Sequence, residues 1–267
     1  MSAEFTLYAI DCVPFGGVPS EHTYVGTNDG ENFNCFGRSG GGRNVRTASG
    51  SSKWAKLVYG NTEGCGDDQP AAGLRVRYDG VCQTACNRIL VLTGDVVDAR
   101  QTKGNVLTTL LYGRFGFNIE PFIQTVKATG AQLLQSNPGE IQQSDIDAVL
   151  KRIQDGQTPD AELDILHVDM QEQEGITLPD ITDSQRTAFR PIYADYQSER
   201  KAVFIEVANT VAFGTEIACG AYPKKLAPPL AKCVQRLVAA VGPKEFSDMF
   251  GVTPDKLAGA FAGFNLP

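Results

Sequence analysis

The sequence predicts an α+β fold, in which a small antiparallel sheet packs on a cysteine-bearing helix and a mostly helical C-terminal half follows. Before residue 116, short strand-like runs alternate with glycine-rich turns. From Asn118 onward, apolar residues recur at helical spacing. We therefore divide the chain into an α+β domain over 1–116 and an acidic helical domain or cap over 117–267.

The first third of the chain predicts strands and one hairpin. A strand is expected over 5–10, closed by the turn-rich run 14–19. The runs 22–27 and 32–37 flank Asn28-Asp29-Gly30, which is a strong local hairpin signal. The glycine- and serine-rich runs 38–44 and 48–52 predict loops.

A helix at the centre of the first half carries two cysteines. A short element over 54–59 and a strand over 74–78 precede it. The helix is predicted over 81–90, with Asp79 or Gly80 near its start. Residues 91–97 either extend this helix or form a further strand.

The C-terminal half predicts a series of helices. Their expected ranges are 120–134, 144–153 behind a Ser-x-x-Asp start, 187–213, 228–241, 243–250, and a short helix opened by Thr253 with Pro254 at its first position. Residues 154–183 are polar and contain Pro159 and Pro179, so we expect an exposed linker or cap there.

Charge argues against a nucleic-acid partner. The formal net charge of -7 arises entirely in residues 117–267, which hold thirteen Lys and Arg against twenty Asp and Glu. Such an acidic half repels phosphate backbones, and no basic stripe with interleaved aromatics is present. Solubility accounts for the acidity.

Location and redox state follow from the apolar runs and the cysteines. No window approaches eighteen consecutive apolar residues, and the start lacks the basic and apolar regions of an export signal, so we expect a cytoplasmic protein without a membrane span. The seven cysteines are an odd number in a chain without an evident export signal, so we expect mostly reduced thiols. Because none of their spacings is a CxxC, we expect no metal site and no cofactor. Five cysteines before residue 87 leave a metal cluster or a disulfide open.

Only two histidines are available to a histidine-based mechanism. His167 lies between acidic residues in the region expected to be exposed, and we interpret it as a surface histidine. His22 opens a predicted strand of the hairpin. This leaves His22 as the candidate general base.

Cys82 is the candidate nucleophile. A thiol at the first turn of a helix meets backbone N–H groups and the positive end of the helix dipole, and both favour the thiolate. The same N–H groups can stabilise an oxyanion. The alternative is that Cys82 and Cys86, one helical turn apart, are small core residues under the sheet.

The order of these elements, with a histidine-bearing hairpin, a strand and then Tyr78-Asp79-Gly80-Val81-Cys82-Gln83-Thr84-Ala85-Cys86-Asn87-Arg88, resembles the papain-like cysteine peptidase and acyltransferase superfamily. The resemblance covers residues 5–95 and is to the circularly permuted branch typified by lecithin retinol acyltransferase. It implies that Cys82 is the nucleophile, that His22 is the base and that Asn34 orients the imidazole.

Neighbouring polar residues have two interpretations each. The Gln83 amide is a candidate oxyanion donor or a solvent-facing helix residue. Asn87 and Arg88 are candidates for binding a substrate carboxylate, or they have surface or capping roles.

Three classes of function remain open. The first is a cysteine-dependent hydrolase or acyl or amide transferase that acts on a peptide, isopeptide or ester bond of a peptide, protein or acyl substrate. The second is a non-catalytic interaction protein whose helical half binds a partner or forms a homo-oligomer. The third is a thiol redox or metal-binding protein that uses Cys65, Cys82 and Cys86.

Overall fold

The computed structural model has the predicted α+β fold. It describes residues 3–15, 18–33, 41–59, 74, 79–93, 99–210 and 221–258. A four-stranded antiparallel sheet in the order β3-β2-β1-β4 lies in the first part of the described chain, and helices make up the C-terminal half. The strands are β1 Ala3–Phe15, β2 Val18–Thr27, β3 Asn32–Phe33 and β4 Arg43–Gly50.

Ten helices are seen in the described residues. They are α1 Ser52–Tyr59, α2 Cys82–Leu90, α3 Asn105–Tyr112, α4 Ile119–Ser136, α5 Gln143–Asp155, α6 Pro159–Glu174, α7 Asp183–Thr210, α8 Tyr222–Val241, α9 Pro243–Phe250 and α10 Pro254–Ala258. The short element after residue 53 is therefore a helix. Helix α3 had no counterpart in the sequence prediction.

The sheet is built around a long hairpin of β1 and β2. In its register Ile10 lies opposite His22, and Asp11 lies opposite Glu21. The predicted turn after β2 is confirmed, since Gly30 has a φ of 95° and its N–H donates to the Thr27 carbonyl. Strand β1 continues to Phe15, beyond the predicted end of the strand.

The loops predicted over 38–44 and 48–52 are wrong where they overlap β4, at residues 43–44 and 48–50, because β4 pairs there with β1. Ala3 lies opposite Gly50 and Ala9 lies opposite Arg43 in this pairing. Strand β4 is at the edge of the sheet and mostly exposed, with Ala48 its buried side chain. Edge strands carry charged and polar side chains, and this composition concealed the strand.

Residues 154–183 do not form an exposed linker, because helix α6 occupies most of them. The Thr158 hydroxyl accepts a hydrogen bond from the Ala161 N–H at 3.3 Å, and Pro159 follows at the first helical position. The apolar side chains on α6 that are buried are Leu163, Ile165, Leu166 and Met170. The acidic residues between them masked the helical period in the sequence.

His167 on α6 is buried, so its interpretation as a surface histidine is wrong. Its side chain is 8% exposed, and its Nδ1 lies 2.7 Å from the Met249 carbonyl oxygen on α9. The ring thus links two helices of the C-terminal half.

Two hydrophobic clusters form the core of the described chain. The first joins the sheet to α1, α2, α4 and α5, and the second joins α3 to α6, α7, α8 and α9. Each cluster therefore contains residues from both sides of residue 116. The domain boundary placed there stays a prediction. None of the helices in the described residues combines the length and the apolar character needed to cross a membrane.

Several predicted features lie outside the described residues. They are the strand residues 75–78, the residues 94–97, the helix end at 211–213, Asn34, Cys35, Cys65 and Cys219.

Candidate thiol site at the start of helix α2

Helix α2 begins at Cys82, one residue after the predicted start. Val81 has extended backbone angles, and its N–H donates to the Thr84 hydroxyl at 3.3 Å. Gly80 allows this arrangement, because a Cβ at that position would lie 2.7 Å from the Thr84 side chain. The local sequence thus places a cysteine at the first helical position.

Helix α2 runs along strand β2. The Cys86 thiol donates to the Thr23 hydroxyl at 3.4 Å, and the Cys82 sulfur lies 3.9 Å from the Glu21 carbonyl oxygen. One turn of the helix therefore spans two residues of the strand. This contact brings Cys82 to the backbone that immediately precedes His22.

The two cysteines of α2 have different surroundings. Cys86 is 3% exposed, and burial raises the pKa of its thiol above the ordinary value. Cys82 is half-buried, and its thiol donates to the Gln83 Oε1 at 3.1 Å. The core interpretation is thus confirmed for Cys86, and Cys82 is the more accessible thiol of α2.

Gln83 is buried, so its interpretation as a solvent-facing residue is wrong, while its role as an oxyanion donor stays a prediction. Its side chain is 3% exposed, and its amide nitrogen donates to the carbonyls of Glu21 at 3.0 Å and Lys103 at 3.4 Å. Its carbonyl oxygen accepts from the thiol of Cys82 and, at 3.5 Å, from the hydroxyl of Thr108. Because both amide N–H groups are used, Gln83 fixes the start of α2 against β2.

The His22 side chain leaves β2 on the face opposite α2. Glu21, Thr23 and Val25 are buried toward α2 and the core, and side chains alternate along a strand. Tyr24 lies on the other face, where its ring stacks on that of Tyr8 at 5.0 Å. The half-buried His22 ring shares that face, so it can reach the Cys82 sulfur only around the edge of β2.

Glu21 forms a buried charge cluster beside the thiol. Its carboxylate is 3% exposed and accepts from Arg43 Nε at 3.0 Å, from Arg43 Nη2 at 2.9 Å and from the Lys103 N–H at 2.8 Å. The hydrogen bond to Glu21 raises the pKa of the Arg43 guanidinium. Arg43 and Glu21 thus neutralise each other next to Cys82.

Sequence reasoning did not find Glu21 as part of the site. The available signal was the alternation of side chains along β2. It places the Glu21 carboxylate on the same buried face of the strand as Thr23 and Val25. Charged residues on a buried face need a partner, and a cation from another element was therefore to be expected.

Residues 99–105 form a wall of the site and connect it to the C-terminal half. The N–H of Gln101 donates to Asp169 Oδ1 at 2.7 Å, and Asn105 Nδ2 donates to Asp169 Oδ2 at 2.7 Å. The Gln101 carbonyl accepts from Arg43 at 2.8 Å. Gln101 has a φ of 68°, an uncommon conformation that this network holds in place. Helix α6 is thereby tied to the thiol site through Asp169.

Asn87 is a buried structural residue and does not bind a substrate carboxylate. Its Nδ2 donates to the Arg114 carbonyl at 2.7 Å, and its Oδ1 accepts from the Ala99 N–H at 2.6 Å. With 2% of its surface exposed, the side chain connects α2 to two segments of backbone.

Arg88 is likewise buried and structural. Its guanidinium donates to the carbonyls of Phe115 and Phe117, both at 2.8 Å, and lies 5.1 Å from the centre of the Phe122 ring. Burial lowers the pKa of this guanidinium to about 10. Asn87 and Arg88 thus bind backbone groups, which is closer to the capping interpretation than to substrate binding.

Neither a metal-binding group in the described residues nor a related protein indicates the function. Within the described part of the chain, no group of three or more His, Cys, Asp or Glu side chains is arranged to hold a metal ion. Comparison of the chain with protein-family models, with curated proteins and with solved structures gave no match. The functional argument therefore starts from the geometry around Cys82.

Proposed function

We propose that this protein is a cysteine-dependent hydrolase or acyl or amide transferase with Cys82 as its nucleophile. One observation carries the proposal: a half-buried thiol stands at the first position of α2, with its sulfur 3.9 Å from the carbonyl oxygen of Glu21, the residue before His22. The first backbone N–H groups of a helix have no partner inside the helix, so they can stabilise a thiolate or an oxyanion.

The proposed reaction has two steps. In the first, the His22 ring reaches around the edge of β2 and accepts the thiol proton while the sulfur forms a bond to the carbonyl carbon of the substrate, and backbone N–H groups of α2 bind the oxyanion. His22 then gives the proton to the leaving nitrogen or oxygen as its bond to carbon breaks. In the second step, water or an acceptor nucleophile attacks the thioester and releases Cys82, which regains its proton.

The neighbouring residues support this chemistry by position. Gln83 anchors the start of α2, and Arg43 neutralises the Glu21 carboxylate so that the site does not hold an uncompensated negative charge beside the thiolate. Asn34 remains the proposed partner that orients His22, and a papain-like relationship remains part of the proposal. A reducing compartment such as the cytoplasm would keep the nucleophile as a thiol.

Alkylation tests the nucleophile directly. With iodoacetamide at pH 7 and peptide mapping, we expect Cys82 to react selectively and Cys86 to stay unmodified, because burial keeps the Cys86 thiol protonated. His22→Ala should move the alkylation of Cys82 to higher pH. Thr47→Ala, an exposed change in the same sheet, is the matched control and should leave the pH profile unchanged.

Acyl transfer is then tested with activated esters and peptide amides, and the covalent intermediate is read by intact mass. Wild-type protein should gain one acyl group on Cys82, and Cys82→Ser should gain none on that residue. Alkylation of Cys82 with the pH profile of a free thiol, unchanged by His22→Ala, would remove His22 from the mechanism. Failure of every acyl donor to label Cys82 would contradict the proposed function.

A further inference from the structure

An open cleft of about 430 Å³ lies where the last turns of α6 meet the segment 99–105. Gln101 lines it from that segment, and Val168, Gln171 and Glu172 line it from α6. Its volume is within the range of about 300–1,000 Å³ that is typical of ligand sites. The cleft shares Gln101 with the wall of the thiol site.

A short series of contacts joins the cleft to Cys82. The Gln101 carbonyl accepts from Arg43 Nη2 at 2.8 Å, and Arg43 pairs with the Glu21 carboxylate at 2.9 Å. The backbone carbonyl oxygen of Glu21 lies 3.9 Å from the Cys82 sulfur. The hydrogen bond to Glu21 is the main cause of the raised pKa of Arg43, and the negative charge of Glu172 adds to it. The cleft therefore adjoins the thiol site.

One carboxylate and two side-chain amides give the cleft its polar groups. Among the residues that the structure describes, the Glu172 carboxylate has neither a hydrogen bond nor an ion pair, and the side-chain nitrogens of Gln101 and Gln171 donate to no group. The amide oxygens of both glutamines are held, because Gln101 Oε1 accepts from Arg46 at 3.0 Å and Gln171 Oε1 accepts from the Leu178 N–H at 3.0 Å. Their N–H groups are thus available as donors in a fixed position.

The backbone of Gln101 is a second observation that points to a ligand. Its φ of 68° lies in a region that residues other than glycine seldom adopt. The Gln101 N–H donates to Asp169 at 2.7 Å, so α6 holds the residue in this conformation. Residues that the surrounding fold keeps in such conformations cluster at ligand-binding and active sites.

We propose that this cleft binds the peptide chain of the substrate, next to the bond that Cys82 attacks. Each peptide unit carries one N–H donor and one carbonyl acceptor. Glu172 accepts from the peptide N–H, and the amide nitrogens of Gln101 and Gln171 donate to peptide carbonyls. A fatty acyl chain has no partner for these groups, and covering them with hydrocarbon costs free energy. The inference rests on the function proposed for Cys82 and narrows its substrates to peptides and proteins.

Peptide binding is tested without catalysis in Cys82→Ser protein, by NMR titration with acetyl-tetraalanine amide. We expect the backbone amide resonances of residues 101 and 168–177 to shift. Glu172→Ala and Gln101→Gly should each raise the Kd about threefold to tenfold, because each removes a hydrogen-bonding group. Glycine adopts the φ of residue 101 without strain, so that variant keeps the backbone.

Gln173→Ala is the matched control, since Gln173 is exposed on α6 and does not line the cleft. It should bind the peptide as the Cys82→Ser protein does. Circular dichroism establishes that each variant is folded. Shifts that leave out residues 101 and 168–177, or an equal loss of affinity in Gln173→Ala, would overturn the proposal.

The link to Cys82 is tested with nitrophenyl esters of acetate, octanoate and acetyl-tetraalanine. We expect kcat/KM for the tetraalanine ester to exceed that for the octanoate ester at least tenfold, and Glu172→Ala should lower the ratio of the tetraalanine rate to the acetate rate. Faster reaction of the octanoate ester would overturn the assignment to peptides. Failure of the acetate ester to acylate Cys82 would overturn the function proposed for Cys82, and with it the substrate role of the cleft. The NMR titration separates that outcome from a cleft that binds no peptide.

Discussion

At the scale of single residues, the neighbours Cys82 and Gln83 on α2 have different roles because their side chains have different surroundings. Cys82 has a half-buried thiol at the start of the helix. Gln83 is buried, and its amide nitrogen donates hydrogen bonds to two backbone carbonyls. A glutamine next to a nucleophilic cysteine invites an oxyanion role, and its hydrogen bonds also make Gln83 a positioning residue. The distinction depends on which groups the folded chain places around the amide.

Substitution of Gln83 tests this positioning role. Gln83→Leu has similar volume but removes both donors, so the carbonyls of Glu21 and Lys103 lose a hydrogen bond in a buried environment. We expect the free energy of unfolding to fall by about 1–3 kcal/mol. Urea denaturation measures the change, and Gln143→Leu, at an exposed position of α5, is the control. A loss of stability no larger than that of the control would contradict the role given to Gln83.

At the scale of elements, α2 is anchored along its whole length. Gln83 fixes its start to β2, Cys86 contacts Thr23, and Asn87 and Arg88 bind the backbone around residues 99 and 114–117. A nine-residue helix has little stability of its own, so these tertiary contacts hold it. The same contacts fix the position of the Cys82 sulfur.

Asn87→Ala should therefore loosen α2 as a unit. The change leaves the Arg114 carbonyl and the Ala99 N–H without the Asn87 partner, and we expect a loss of about 2 kcal/mol or more in the free energy of unfolding. Amide hydrogen exchange should show faster exchange across α2. Asn44→Ala on the exposed edge strand is the control. Unaltered protection of α2 in Asn87→Ala would show that this anchor is dispensable.

At the scale of the whole molecule, the second hydrophobic cluster contains buried groups that can ionise. Glu162 and Arg200 form a buried ion pair, with both oxygens of Glu162 bonded to Arg200 at 3.0 Å, and Tyr193 donates to Glu162 at 2.9 Å. Burial raises the pKa values of Tyr193, Tyr196 and Tyr222 above the ordinary value of 10. These hydroxyls stay protonated in the folded protein at a pH where the unfolded chain ionises.

We therefore expect stability to fall as the pH rises above about 10. Because the folded pKa values are raised, their contribution is fully present below the unfolded pKa and is lost as pH rises toward the folded one, at up to about 1.4 kcal/mol per pH unit for each tyrosine. Urea denaturation between pH 8 and pH 11 measures the slope, which Tyr196→Phe should make shallower. Full ionisation of all eight tyrosines in folded protein at pH 11, read from tyrosinate absorbance, would contradict this prediction.

The local sequence by itself determined the α+β class, the Asn28–Gly30 turn, the start of α2 near Gly80 and most helices after residue 118. These features depend on period, turn chemistry and capping, which act over a few residues. Strand β4 and helix α6 escaped prediction because an edge strand can be polar and because acidic residues interrupt the apolar period of α6. Their stability comes from partners that are distant in the sequence.

Only the tertiary structure decided what the side chains of the candidate site do. In the folded protein Glu21 pairs with Arg43, and the Gln83 amide donates to backbone carbonyls. His167 is buried, and His22 lies on the face of β2 opposite α2. The tertiary structure also brings Gln101 and Glu172 to the same cleft. The physical reason is that the hydrogen bonds and the burial of a side chain depend on contacts between segments that are distant in the sequence. The local sequence pattern carries little information about those contacts.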